Sequence, residues 1–168
     1  MPRFPRFAIA LLIMVALGFT VSGAAAAGNV SVRLTANRVT KIDGREVLIP
    51  AAQAHPGETL EYRAVYRNEG AGSARDVAAT LPIPRGTSYL RGSAEPSTVE
   101  ASLDGHTFAP VPLLRRVREP DGRSVLREVP VSEYTALRWP LGSLSARQAR
   151  AVRARVRIQP VEVAALTH

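Results

Sequence analysis

Apolar and polar positions alternate with a period of two along much of this chain, most cleanly in the last stretch at 152–158 and again at 60–67. There Leu60, Tyr62, Ala64 and Tyr66 interleave with Glu61, Arg63, Val65 and Arg67, as on a strand with one buried face. Asn68-Glu69-Gly70 and Gly72-Ser73 turn the chain. Val77, Ala79 and Leu81 resume the alternation, which stops where Pro82 and Pro84 remove two backbone donors. A short strand at 87–91 follows the turn at Arg85-Gly86.

The rest of the chain reads the same way. Val30, Val32 and Leu34 mark a first strand, and 38–49 reads as a hairpin turning at Asp43-Gly44, a pair that accepts positive φ. A second hairpin is predicted at 99–108 around Asp104-Gly105, with Leu103 and Phe108 facing inward. A third joins 113–117 to 124–129 across Asp121-Gly122. Residues 133–139 form a further strand, with Leu137 and Trp139 on its core side. The last strand places Val152, Ala154, Val156 and Ile158 on one face and Arg153, Arg155 and Arg157 on the other. Its β-branched residues favour period 2 over a helix at 145–157. Short strands with turn signals every 8–12 residues predict an all-β, immunoglobulin-like antiparallel β-sandwich. Cysteine is absent, so this sandwich is built without a disulfide.

The first 27 residues do not fit the alternation. Arg3 and Arg6 precede a continuous apolar run at 7–21, and small residues at 22–27 end in Ala-x-Ala. This is the anatomy of a helical secretory signal peptide, and the small-residue tail favours cleavage over retention as an anchor. The chain then divides into a signal peptide at 1–27 and one sandwich domain at 28–168. The expected destination is the periplasm, the extracellular space or the cell surface, with no membrane span after signal removal.

Charge narrows the partners. The whole chain carries +8, and losing Arg3 and Arg6 leaves +6, nearly all of it arginine because Lys41 is the one lysine. Outside the cytoplasm the polyanions within reach are envelope polymers and lipid head groups, so nucleic acid is not an expected partner. Arg153, Arg155 and Arg157 lie about 7 Å apart on one strand face. That row either tracks an anionic polymer or is the solvated face of a strand at a sheet edge. Catalytic and metal chemistry find little support. His55, His106 and His168 are far apart, both methionines fall within 1–27, and the acidic residues are scattered. No Gly-x-Ser-x-Gly elbow or cysteine nucleophile exists, and Asp104-Gly105-His106 reads as a turn. No cofactor is expected.

Four segments together resemble the domain of unknown function eleven, the conserved repeat domain of bacterial surface and envelope proteins. They are His55-Pro56-Gly57-Glu58-Thr59-Leu60-Glu61-Tyr62 followed by Tyr66-Arg67-Asn68-Glu69-Gly70, then Leu81-Pro82-Ile83-Pro84-Arg85-Gly86-Thr87-Ser88-Tyr89 ending at Gly92-Ser93-Ala94. The third is Ser102-Leu103-Asp104-Gly105-His106-Thr107-Phe108, and the fourth is Leu137-Arg138-Trp139 with the closing strand at 152–158. The resemblance implies an immunoglobulin-type module with no catalytic residues; such modules are often repeated, and this chain departs from that pattern with one copy. The resemblance also implies a structural or protein-interaction role in the cell envelope. The partner expected is an envelope protein, or an anionic envelope polymer if the arginine row is used.

Overall fold

Each alternating stretch is a strand, and the strands form an antiparallel β-sandwich. The computed structural model describes residues 29–160. The expected helical signal peptide at 1–27 and the chain end at 161–168 lie outside the described residues. Eleven strands follow in order: β1 (Val30–Ile42), β2 (Arg45–Pro50), β3 (Thr59–Asn68), β4 (Ala74–Pro82), β5 (Thr87–Tyr89), β6 (Glu100–Ser102), β7 (Ala109–Pro110), β8 (Leu114–Arg118), β9 (Ser124–Glu128), β10 (Ala136–Leu144) and β11 (Ala149–Ile158). A 3-10 turn, Val131–Glu133, precedes β10. Among the described residues no helix is long and apolar enough to cross a membrane.

The first layer has the order β2-β1-β3-β11-β5 and the second β4-β10-β6-β7, while β8 and β9 form a separate two-stranded ribbon. The strands β1, β3, β11 and β5 occupy the places of the A, B, E and D strands of an immunoglobulin sheet, and β4, β10 and β6 those of C, F and G. The chain enters the last three places in reverse order, because β10 follows β6 within one layer and then crosses to lay β11 beside β3.

Period-2 burial fills the space between the layers. Ala64 and Tyr66 of β3 and Val152 and Ala154 of β11 pack with Ala79 and Leu81 of β4 and Leu137 and Trp139 of β10, while Leu60, Val156 and Ile158 form a second, smaller cluster. Trp139 is 1% exposed, and its indole Nε1 donates to the Pro96 carbonyl at 2.7 Å, so the single tryptophan is buried without an orphaned donor. Asn68 is fully buried. Its amide donates to the carbonyls of Gly72 at 2.7 Å and Leu144 at 2.9 Å, while its oxygen accepts from the Gly70 N–H. The Asn-x-Gly of the sequence is thus a clasp between the β3–β4 turn and the end of β10.

Two expectations are corrected. Leu103 is 39% exposed, because Asp104-Gly105 sits in a six-residue loop between β6 and β7 and not in a tight hairpin turn. Phe108 is half-buried under the Arg138 guanidinium, 4.1 Å above its ring. The first strand and the first arm of the following hairpin are one continuous strand, β1, which pairs with β3 along Val30–Val39 and with β2 along Asn37–Ile42.

Candidate functional site

The alternation of β11 sets Arg153, Arg155 and Arg157 on the outer face of the first layer. Their register partners in β3 are Arg63, Glu61 and Thr59. In an antiparallel pair, directly opposite side chains share a face, so the row meets Glu61 across one strand.

Two of the three arginines are engaged. The Arg155 Nε donates to the Glu61 carboxylate at 2.9 Å, and its two terminal nitrogens form a fork on Glu46 at 2.5 and 3.0 Å. Arg153 donates to Glu95 at 2.6 Å and lies 3.9 Å from Glu61. Glu61 is 2% exposed although it points to the outer face, and the two guanidiniums cover it. Hydrogen bonds from Arg155 hold Glu46 below its ordinary value of 4.5, and those from Arg153 do the same for Glu95. The same bonds raise both arginines, which stay cationic. Arg157 is exposed, and the ion pairs of this face do not include it.

The row is therefore a charge lattice that ties β11 to β2 through Glu46, to β3 through Glu61 and to the segment after β5 through Glu95. A linear polyanion would have to displace three carboxylates to reach Arg153 and Arg155. Beside the lattice lies an open groove of about 450 Å³ whose lining includes Arg63, Glu95, Pro96 and Arg153. Arg63 is exposed and stands opposite Arg153, so the groove holds one engaged cation and one with no ion pair among the described residues.

The Asp104-Gly105-His106 turn is also self-contained. The Asp104 carboxylate accepts from the Ser102 hydroxyl at 2.9 Å and from the N–H groups of His106 and Thr107, both at 2.7 Å. These bonds hold it well below the usual carboxylate range, and the partner is the backbone of His106, not its imidazole. Among the described residues no three His, Asp or Glu side chains cluster as metal ligands would, and His168 lies outside them.

Sequence reasoning did not reveal Glu46 and Glu61 as members of the lattice, because they are 109 and 94 residues from Arg155. A local signal exists only for Glu61, which shares one face of β3 with Arg63. Two other surface features also escaped it. Val32, Leu34 and Ile42 of β1 are 48%, 41% and 51% exposed, and Leu114 and Leu126 of the ribbon are 57% and 62% exposed. Comparison with protein-family models, with curated proteins and with solved structures finds no match to this chain.

Proposed function

We propose that this protein is an exported, non-enzymatic β-sandwich module related to the conserved repeat domain of bacterial surface proteins. In this reading it serves the cell envelope, in the periplasm or at the cell surface, by holding another protein. The observation that carries the reading is an uncovered stretch of interior-type sheet face. Val32 and Leu34 stand opposite Tyr66 and Ala64, so they point the same way as the core. The second layer ends at β4, which packs over β3 through Tyr66 and Thr80. The β1–β2 wing consequently extends past it. An extended apolar segment of an envelope protein, laid beside the free edge of β4, would cover these side chains as an added strand does.

The test is retention of an envelope extract on the immobilised chain from Gly28 to His168 across a salt series. A discrete protein that stays bound at high salt, and is lost from the Val32→Asp/Leu34→Asp variant, is the expected outcome. Retention unchanged in that variant would overturn the reading. The alternative is a binder of anionic envelope polymer or lipid head groups through Arg153, Arg155 and Arg157. It is favoured by the exposed Arg157 and by Arg63 in the groove. It predicts that all bound material leaves between low and moderate salt, because exposed pairs are screened over about 8 Å at physiological ionic strength.

A further inference from the structure

The ribbon of β8 and β9 carries a second surface, independent of the β1 wing. Its base is fixed in the core: Leu113 and Val129 are buried, the Val129 N–H donates to the Leu113 carbonyl at 2.8 Å, and the Leu113 N–H donates to the Tyr134 hydroxyl at 3.0 Å. Beyond the base it is hydrogen-bonded to neither layer.

Register divides the ribbon into two faces. Arg115 stands opposite Arg127 and Val117 opposite Val125, while Leu114 stands opposite Glu128, Arg116 opposite Leu126 and Arg118 opposite Ser124. On the first face both valines are half-buried, and every cation is engaged. Arg115 pairs with Glu133, Arg127 with Glu119 at 2.5 Å, and Arg123 with Asp121 at 2.6 Å. The second face is the reverse. Leu114 and Leu126 are more than half exposed, and Arg116 and Arg118 are exposed with no carboxylate within ion-pair distance among the described residues. The one acid on this face, Glu128, is already taken by Arg91 at 2.7 Å.

We propose that this face docks on a phospholipid bilayer bearing anionic head groups. Two leucines beside two free guanidiniums on a projecting ribbon are complementary to that surface. The leucines enter the boundary between head groups and acyl chains, and the planar forks of Arg116 and Arg118 take phosphate oxygens. A purely aqueous polyanion would use the arginines and leave the leucines in water. The leucines therefore select a lipid surface over a soluble polymer.

The experiment is co-sedimentation of the 28–168 chain, which contains every strand of the sandwich, with phosphatidylcholine vesicles with and without phosphatidylglycerol. Binding is expected only to the anionic vesicles. Arg116→Ser/Arg118→Ser should weaken it roughly twenty-fivefold, at about fivefold per basic residue near the surface. Leu114→Ser/Leu126→Ser, which leaves the charge unchanged, should weaken it by at least about tenfold. Arg33→Ser/Arg45→Ser removes the same charge from exposed positions of β1 and β2 and should change little. Circular dichroism checks that all three variants keep the fold. Equal losses in the two arginine variants would mean attraction by net charge alone and overturn the proposal. Binding that survives the leucine change, or that appears with a soluble acidic protein but not with vesicles, would overturn it as well.

Discussion

Glu61 shows how much one side chain can alter the reading of a surface. By pattern it belongs to a solvated strand face, yet it is buried under Arg155 and Arg153. Stranding a buried charge by removing its partner costs roughly 3–5 kcal/mol. Arg155 and Arg153 retain Glu46 and Glu95, so Glu61→Gln is expected to cost less, about 2 kcal/mol by urea unfolding. Glu95→Gln, at a side chain 60% exposed, should leave the urea midpoint almost unmoved, because exposed pairs contribute little. Equal effects of the two changes would mean that the lattice acts as a diffuse surface field and not through its buried centre. Tyr66 has a different task. Its hydroxyl donates to the Thr80 carbonyl at 3.3 Å and accepts from the Thr80 N–H at 3.0 Å, satisfying both backbone groups at the edge of β4. Tyr66→Phe should cost about 1 kcal/mol and speed amide exchange at Thr80 while leaving the exchange of β11 unchanged.

Among the elements, legibility followed the range of the physics involved. Alternation is a local property imposed by the two-residue repeat of a strand. It therefore located β3 and β11, and it placed Leu137 and Trp139 in the core. Turn chemistry is local as well, but less decisive. Asp43 and Gly44 have φ values of 50° and 75°, as a two-residue hairpin turn requires. Asp104-Gly105 carries the same dipeptide but spends its carboxylate on the backbone of His106 and Thr107, opening a longer loop and turning Leu103 outward. Gly44→Ala has free space around the added carbon, so its cost is the left-handed backbone alone, about 1 kcal/mol. Gly44→Asn, which tolerates that conformation, should recover most of the loss in thermal midpoint. What alternation cannot show is which strand covers which. Val32 and Leu34 have the pattern of core residues, and only the strand order of the two layers reveals that nothing in the second layer lies over them.

At the scale of the whole molecule, the engaged carboxylates and buried tyrosines set the pH range over which the sandwich holds together. Glu46, Glu95, Asp104 and Asp121 are all held below their ordinary values of 4.5 and 3.8 by hydrogen bonds from arginines or backbone N–H groups. A group depressed in the folded state contributes stability that is present above its unfolded value and lost as pH falls through its folded one. Burial instead raises Tyr62 and Tyr66 above 10.0, so their contribution is present below that value and lost as pH rises through the folded one. The thermal midpoint should therefore be level between about pH 5 and 9 and fall on the acid side below about pH 4. The Glu46→Gln/Glu95→Gln variant removes two of the four depressed groups and should show a shallower acid limb. A midpoint that drops between pH 7 and 5 would contradict the assignment, because none of these four carboxylates titrates there. Within that level range protein binding and vesicle binding are compared on an equally stable fold, with salt left as the variable that separates an apolar contact from a charged one.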